Sequence, residues 1–484
     1  MSKVEESEIK KQGSSKQKEG VNESFRDKIA TIDKDGKRVW IFPTKPKGKL
    51  YNARTLLSVV YLLIFFALPF IKVNGHPLFL INVLERKFIL FGQIFWPQDF
   101  FIFGLGMVLF IVFIALFTVV FGRVFCGWAC PQTIFMELVF RKIEYWIEGG
   151  APAQKMLKKA PWNTDKIIKK FSKWGIFWAI SFLIANTFLA YVIGVDELKT
   201  IVTDKVENHV GGLVAIVIFT TIFFFVFSWL REQVCTTICP YGRMQGVLLD
   251  RQSIVVAYDY KRGEDRAKFK KNEENREAGD CIDCMQCVKV CPTGIDIRNG
   301  TQLECVNCTA CIDVCNSMME AVGFEPNLIR YASEANIADK KPTRFTARMK
   351  AYTAVMILLL SVEVYLLVSR TEVGISILRT PGQLFQEQPN NQLSNLYNYK
   401  FLNKTYKDKI LTLKPENFSG EIKLVGESVL KIPKENYAAG SLFIYINKDQ
   451  IHQRKTPLKI AVYDGDKKIE TYTTAFLGPF GGGQ

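Results

Sequence analysis

Hydrophobic residues are concentrated in five long runs that are separated by polar segments. Each run is close to the ~20 apolar residues that a helix needs to cross a bilayer. The sequence therefore predicts five transmembrane spans, which places the two chain termini on opposite sides of the membrane. The predicted spans are Leu56–Ile71, Phe100–Phe121, Trp174–Ile193, Val210–Leu230 and Ala351–Val368.

A further oily segment, Pro77–Trp96, is interrupted at its centre by Glu85, Arg86 and Lys87. Charges at the middle of a bilayer cost a few kcal/mol each. This segment is therefore predicted to be an external hairpin or an interfacial element.

The last part of the chain, residues 372–484, shows a different pattern, in which apolar and polar residues alternate over short stretches. Alternation with a period of two is typical of half-buried strands. An Asp464-Gly465 step before the last of these stretches predicts a hairpin turn, and the length suits a β-sandwich of about 100 residues. The clearest stretches are Glu421–Val425, Leu442–Ile446, Leu458–Tyr463 and Ile469–Tyr472.

Positive charge is unevenly distributed among the polar segments. Lys and Arg number 14 in residues 1–54, 10 in 122–173 and 18 in 231–350, but only 3 in 72–99 and 2 in 194–209. The positive-inside rule then places the first three segments in the cytoplasm and residues 372–484 outside. The net charge of +16 is explained by the membrane, so no nucleic-acid partner is expected. None of the three histidines lies in an apolar run, which excludes an intramembrane haem held by paired histidines.

Eight of the twelve cysteines form two runs of the spacing Cys-x2-Cys-x2-Cys-x3-Cys. This is the signature of a ferredoxin with two [4Fe-4S] clusters, in which the fourth cysteine of each run binds the other cluster. One cluster is then predicted to be bound by Cys281, Cys284, Cys287 and Cys315, and the other by Cys305, Cys308, Cys311 and Cys291. Structural zinc is the alternative. Asn316 stands where such a run often has proline.

The other four cysteines form two Cys-x3-Cys-Pro motifs, Cys126/Cys130 and Cys235/Cys239, each of which follows a pair of spans. On a helix, the thiols of each pair lie on one face, but Pro131 and Pro240 disfavour helical geometry at the residues before them and favour a turn that opens a new helix. Soft thiolates favour Cu(I), zinc or iron–sulfur centres. A redox dithiol and a purely structural role are the alternatives.

Two features have less specific interpretations. Glu363 lies within the fifth span. It is either a functional carboxylate or a structural one, which is protonated or extends its side chain to the membrane interface. The segment Lys261–Arg276 is either a solvated hinge or a docking patch for an acidic electron donor.

The chain resembles the FixG/CcoG family of accessory proteins for cbb-type cytochrome c oxidase. The resemblance is carried by the stretch from Gly122 through the first Cys-Pro to Gln132, by Cys239-Pro240-Tyr241-Gly242, by the ferredoxin runs and by Asn395-Leu396-Tyr397. It implies an Ig-like periplasmic domain, two cytoplasmic [4Fe-4S] clusters and reduction of Cu(II) to Cu(I), with copper handled at Cys126, Cys130, Cys235 and Cys239. It also implies a copper-transporting ATPase or copper chaperone as partner and the inner membrane as location. A homodimer is a further possibility for the chain.

The resulting fold class is an α-helical polytopic membrane protein with a cytoplasmic two-cluster ferredoxin-like domain and a C-terminal Ig-like β-sandwich. Two other functions stay open: a quinol-linked electron relay of the nitrate- or nitrous-oxide-reductase accessory type, and a non-enzymatic scaffold for oxidase assembly. The predicted parts are a basic, partly disordered tail at 1–54, a four-span membrane domain at 55–250, the ferredoxin domain at 251–348, the fifth span at 349–371 and the Ig-like domain at 372–484.

Overall fold

The computed structural model describes residues 30–33, 35–73, 75–82, 87–96, 99–205, 207, 209–269, 276–382, 384–389, 391–426, 429–451 and 453–479. Most of the tail predicted to be disordered, the charges Glu85 and Arg86, and positions 270–275 of the predicted hinge lie outside these residues. The α-helices are α1 Lys49–Ala67, α2 Phe100–Phe121, α3 Val124–Trp128, α4 Pro131–Thr133, α5 Arg141–Ile147, α6 Ala151–Lys159, α7 Thr164–Ile193, α8 Val195–Thr203, α9 Val210–Phe225, α10 Pro240–Leu248, α11 Tyr260–Gly263, α12 Gln286–Lys289, α13 Ala310–Val322, α14 Glu334–Asp339 and α15 Ala347–Val368, and π-helical turns span Ile134–Phe140, Val226–Leu230 and Val234–Ile238. The strands are β1 Lys72–Val73, β2 His76–Pro77, β3 Phe79–Asn82, β4 Lys87–Leu90, β5 Gln93–Phe95, β6 Val255–Tyr258, β7 Ile329–Ala332, β8 Val373–Arg379, β9 Gln386–Gln388, β10 Gln392–Asn403, β11 Lys409–Pro415, β12 Gly420–Leu424, β13 Leu430–Ile432, β14 Tyr437–Asn447, β15 Lys455–Asp464 and β16 Lys467–Leu477.

Within the described residues, five helices are long and apolar enough to cross a membrane, and they coincide with the five predicted runs, except that the first helix ends at Phe70, one residue before the predicted Ile71. The chain is thus a multi-pass membrane protein. These helices are α1 extended to Phe70, α2, α7, α9 extended to Leu230, and α15. The α7 helix begins at Thr164, ten residues before the predicted Trp174, because its first turns are polar and are stabilised by ion pairs of Lys170 and Lys173 with Glu148.

The chain forms two compact units. The first, which we call the cysteine unit, contains all twelve cysteines and comprises the chain up to Ala67, Phe110–Phe188 and Thr200–Ile357. The second, the sandwich unit, comprises Leu68–Leu109, Leu189–Lys199 and Leu358–Gln484. The boundary between the units falls inside four of the five membrane helices, which are α1 as extended to Phe70, α2, α7 and α15.

The sandwich unit contains two antiparallel sheets, with the strand orders β12-β14-β10-β8 and β13-β11-β15-β16. Their inner faces bury a continuous apolar core that includes Tyr397, Phe401, Ile444 and Phe476. All four predicted strand segments are confirmed, and β15 and β16 form the predicted hairpin, with Gly465 at a left-handed φ of 59°.

The predicted hairpin in the oily segment is also present in the sandwich unit. Strands β3, β4 and β5 pair antiparallel as a three-stranded sheet. Leu80, Ile89 and Ile94 form its small core, against which Trp96 and Tyr406 pack. Tyr406 also donates a hydrogen bond to the Gly92 carbonyl at 2.7 Å, which joins this sheet to the sandwich.

In the cysteine unit, the ferredoxin part is built on the two-stranded antiparallel sheet of β6 and β7 and on α13. Its core contains Val256, Met319, Leu328 and Ile329. The Asp313 carboxylate of α13 accepts hydrogen bonds from the backbone N–H groups of Leu50 and Tyr51, at 3.2 and 2.7 Å. It therefore satisfies two donors at the start of the first span, where a helix has no internal partners for them.

We expect Asp313→Ala to destabilise the cysteine unit by about 1 kcal/mol, which is typical for the loss of a helix cap. The thermal midpoint of the detergent-solubilised protein should fall by about 2–4 °C. Glu320→Ala, an exposed position on the same helix, is the matched control and should leave the midpoint unchanged. Equal midpoints for the two variants would contradict the capping role.

Candidate electron-transfer site

The two ferredoxin runs adopt the same backbone turn. Asp283 and Met285 in the first run, and Asn307 and Thr309 in the second, have φ values between 50° and 65°. Left-handed conformations are uncommon outside glycine, and here they recur at matching places in both runs. The sequence repeat is therefore also a structural repeat, as a two-cluster ferredoxin requires.

Each predicted set of four cysteines surrounds one cavity. Cys281, Cys284, Cys287 and Cys315 line the first, and Cys291, Cys305, Cys308 and Cys311 line the second, where Cys287 also contributes. Within the described residues, no three Cys, His, Asp or Glu side chains are close enough together to hold a single metal ion. Four thiols around a larger space suit an iron–sulfur cube better than one zinc ion, whose four ligands must meet at about 2.3 Å from it.

Burial determines the ionisation of these thiols. It raises the pKa of Cys287, Cys305 and Cys315 to about 12 and that of Cys308 to about 11. Nearby cations oppose the shift, notably Arg298 at Cys287 and Arg54 at Cys308. Without metal these four thiols are therefore protonated at neutral pH, and binding of a cluster displaces their protons.

The two Cys-x3-Cys-Pro motifs have one shared geometry. Cys130 and Cys239 are extended, with φ and ψ of −65° and 124°, and −66° and 113°. Each caps the helix that its following proline begins, α4 and α10 respectively. The turn that opens a new helix is confirmed for Cys130 and Cys239, because proline disfavours the helical conformation at the residue before it. Cys126 and Cys235 instead lie within the helical segments Val124–Trp128 and Val234–Ile238.

Tertiary packing brings cysteines of the two motifs together. Burial raises the pKa of the Cys235 thiol to about 12, and the negative charges that Cys130 and Cys126 would carry add to this shift. Cys126 is buried and donates to Gln245 Oε1 at 3.2 Å, and Cys235 lies 4.0 Å from the Thr133 hydroxyl. Cys239 is half-buried at the start of α10, one turn before Gly242. We call Cys126, Cys130, Cys235 and Cys239 the edge cysteines.

Sequence reasoning missed Arg123, which is only 3% exposed and lies between the edge cysteines and the second ferredoxin run. Its Nε donates to Gln245 Oε1 at 2.8 Å, and its Nη1 donates to the Leu303 carbonyl. Its charge lowers the pKa of both Cys126 and Cys305, against the larger effect of burial. The only sequence signal for this role of Arg123 is its position three residues before Cys126.

Gly127, inside the first motif, lies directly on the second ferredoxin run. A Cβ at this position would be 2.5 Å from the Val306 carbonyl oxygen and 2.7 Å from that of Asn307. Such approaches are too short for any real side-chain carbon, so only glycine permits this contact. Val306 and Asn307 separate Cys305 from Cys308. The first motif therefore contacts the peptide segment that holds two of the second cluster's predicted ligands.

Side chains on both sides reinforce this contact. Arg54 Nε donates to the Gly127 carbonyl at 2.6 Å. The Trp128 indole donates to the Tyr331 hydroxyl at 3.0 Å, and that hydroxyl donates to the Asn307 carbonyl at 3.4 Å. Hydrogen bonds thus connect the residues beside Cys126 to the backbone between Cys305 and Cys308.

A buried ion network borders the edge cysteines and was also missed, because its residues look like an ordinary charged surface in the sequence. Arg231 binds Glu144 through two hydrogen bonds, at 2.9 and 2.7 Å, and Arg141 pairs with Glu137 at 3.0 Å. A cavity lined by Glu137, Glu232 and Cys235 reaches Pro292 and Thr293, the two residues after Cys291. Charges that are buried this deeply are stable only when paired, so the network fixes α5 and the loop before Cys235.

Glu363 belongs to the sandwich unit. A Cβ on Gly106 of α2 would be 3.4 Å from its Oε1. Both the functional and the structural interpretation of Glu363 stay predictions.

Three family models match the chain. A 4Fe-4S dicluster domain matches residues 230–334, a 4Fe-4S binding domain matches residues 103–149, and the Ig-like fold at the C-terminus of FixG matches residues 364–479. These matches support bound iron–sulfur clusters and an Ig-like C-terminal domain.

Curated relatives extend along most of the chain. RdxA of Cereibacter sphaeroides is 31% identical over 85% of this chain and 90% of its own length. RdxB of the same organism is 31% identical over 76% of this chain and 80% of its own length. The nitrogen fixation protein FixG of Rhizobium meliloti is 34% identical over 62% of this chain and 59% of its own length. These relatives indicate an electron-transfer role in the membrane.

Among solved structures, a FixG-related protein from Vibrio parahaemolyticus covers 22% of this chain and 97% of its own, at 17% identity and a TM-score of 0.20.

Proposed function

Because this chain belongs to the FixG/CcoG family of membrane iron–sulfur proteins, we propose that it reduces Cu(II) to Cu(I) at the edge cysteines, for copper-site assembly of a cbb-type cytochrome c oxidase. Its partners would be a copper-transporting ATPase or copper chaperone and an electron donor in the cytoplasm. The uneven distribution of Lys and Arg supports a cytoplasmic ferredoxin part and a periplasmic Ig-like domain.

The observation that carries the proposal is the contact of Gly127 with Val306 and Asn307. It brings the residue after Cys126 directly onto the loop between Cys305 and Cys308, while the Cys126 thiol itself donates to Gln245. The cavity from Cys235 to Pro292 and Thr293 provides a second approach, beside Cys291. Both cysteine motifs therefore adjoin the predicted ligands of one cluster.

The chemistry follows from the thiols of this site. When bound, the [4Fe-4S] clusters supply electrons one at a time, which is what the conversion of Cu(II) into Cu(I) consumes. Sulfur ligands favour Cu(I) over Cu(II), so coordination by the edge cysteines makes the gain of that electron more favourable. Since no three Cys, His, Asp or Glu side chains meet at one point in the described structure, coordination of copper by more than two of the edge cysteines requires their side chains to converge. The ion network beside Cys235 holds the backbone in place while these side chains converge.

Gly127→Ala tests the proposal, with Gly175→Ala as the control because a Cβ there meets no atom within 4 Å. Full-length protein is purified without oxygen, its clusters are reduced with dithionite, and excess reductant is removed. Cu(II) is then added and a Cu(I)-specific chelator is followed together with cluster bleaching.

Wild-type protein and Gly175→Ala should show saturable reduction. Gly127→Ala should be slower by about tenfold or more, since a displacement near 1 Å can cost as much as 100-fold. The proposal would be contradicted if wild-type protein showed no saturable copper reduction, or if wild type, Gly127→Ala and Gly175→Ala all reduced copper at the same saturable rate.

A second candidate is an electron relay in which the edge cysteines hold a further iron–sulfur group. It is favoured by the match of residues 103–149, which include Cys126 and Cys130, to a 4Fe-4S binding domain. Iron analysis separates the two functions, because the relay predicts more iron per chain than two [4Fe-4S] clusters contain, and a fall towards that content when the edge cysteines are replaced.

A further inference from the structure

An open pocket of about 350 Å³ lies in the cysteine unit and is lined by Lys45, Lys142, Tyr145, Trp146 and Gly150, with no cysteine among its lining residues. Two lysines contribute to it and no acidic side chain does. Neither lysine forms an ion pair with any carboxylate of the described residues. The pocket is thus basic and aromatic, a combination that suits an anion carried on an apolar molecule.

The positive charges in this pocket repel one another. Burial lowers the pKa of Lys142, and the nearby charges of Lys45 and Arg54 lower it further. Cations placed this close without an acidic partner are stabilised by an anion between them. Tyr145 does not compete for such an anion, since its hydroxyl donates to the Pro43 carbonyl at 3.1 Å.

The pocket adjoins the start of the first membrane span. The Lys142 ammonium is 5.8 Å from the centre of the Tyr51 ring, and Tyr51 is in the first turn of the first membrane span. Trp146 is 79% exposed. Contact of so large an apolar side chain with water is unfavourable. Tryptophan and tyrosine are enriched at the membrane interface, where the ring contacts lipid and the polar edge stays hydrated.

We propose that this pocket binds the phosphate headgroup of an anionic phospholipid, with Lys45 and Lys142 pairing with the phosphate and Trp146 packing on the lipid. A lipid explains both the exposed ring and the unpaired lysines, whereas a free phosphate would explain only the lysines. Lysines near an anionic membrane surface contribute about 1 kcal/mol each, which corresponds to roughly fivefold in affinity per lysine.

The test compares Lys45→Gln/Lys142→Gln with Lys155→Gln/Lys159→Gln, which removes two exposed lysines of α6 that do not line the pocket. Full-length proteins are extracted in mild detergent and titrated with phosphatidylglycerol, with phosphatidylcholine, or with inorganic phosphate, while bound lipid is counted by native mass spectrometry. Cluster absorbance verifies that each variant is folded.

We expect the pocket variant to bind phosphatidylglycerol about 25-fold more weakly than wild type, the product of two fivefold losses. The α6 variant should bind as wild type does, and inorganic phosphate at millimolar concentration should not displace the lipid. Equal losses in both variants, or equal binding of phosphatidylcholine, would overturn the proposal. Unchanged lipid binding with slower reduction by a protein electron donor would also overturn it, in favour of a protein-docking surface.

Discussion

Replacing all four edge cysteines by alanine should remove saturable copper reduction and leave both ferredoxin clusters in place. The expected fall in rate is about 100-fold or more, because holding two reactants in position contributes at least that factor. Cys126 and Cys235 belong to segments distinct from the two runs that surround the cluster cavities, so the absorbance and iron content of two clusters should persist. The measurement is Cu(I)-chelate formation by dithionite-reduced protein at increasing Cu(II).

The informative quantity is the saturable part of this rate, because reduced clusters can also pass electrons to free Cu(II) without any binding site. Thr236→Ala is the control, because it changes a residue inside the second motif and retains all four thiols. It shows whether mutation at the membrane edge has an effect of its own. It should behave as wild type does. If the cysteine variant reduces copper with the same saturation curve as wild type, the edge cysteines are not the copper site.

The parts of this site that the sequence predicts are those encoded by local pattern. Hydrophobic run length predicts the five spans, and the prolines after Cys130 and Cys239 predict the turns there. The period-two stretches predict the strands of the sandwich. In each case the structural preference belongs to neighbouring residues and to the backbone between them, so a single sequence is sufficient.

The residues that sequence reasoning missed act across long separations. Arg123 contacts Leu303, and Gly127 contacts Val306, about 180 positions away. Nothing in either local segment specifies that partner, because the contact depends on how the membrane helices and the ferredoxin part pack. The charges of the ion network were missed for a related reason: Glu144 and Arg231 look like surface residues until tertiary structure pairs them.

The second large effect is expected in the sandwich unit, where Asp99 lies between two cations. Its Oδ2 accepts from Arg370 and its Oδ1 from Lys404, each at 2.6 Å, and Asp99 is only 4% exposed. Asp99→Ala leaves two buried cations without a counter-charge, and breaking a buried pair in this way costs about 3–5 kcal/mol. Amide hydrogen exchange in strands β3–β5 and β8–β10 should accelerate accordingly, because it reports local opening free energies.

A control variant separates this effect from general loss of charge. Glu387 pairs with Lys448 at 2.9 Å in the same unit, but both side chains are well exposed. Exposed pairs contribute about 0–1 kcal/mol, so Glu387→Gln should leave hydrogen exchange nearly unchanged. Equal effects of Asp99→Ala and Glu387→Gln would show that the buried pairs do not hold these strands in place.

The same ion pairs predict a pH dependence with a definite sign. Burial alone would raise the pKa of Asp99, but hydrogen bonds and charge from Lys404 and Arg370 outweigh it and lower the pKa. A carboxyl group whose pKa is lower in the folded than in the unfolded chain stabilises the fold above its unfolded pKa, near 3.9, and loses that contribution as pH falls through the folded value. The stability difference between wild type and Asp99→Asn should therefore be full at pH 7 and shrink as pH falls below about 4. A difference that stays constant over this range would mean that Asp99 acts through packing and not through its charge.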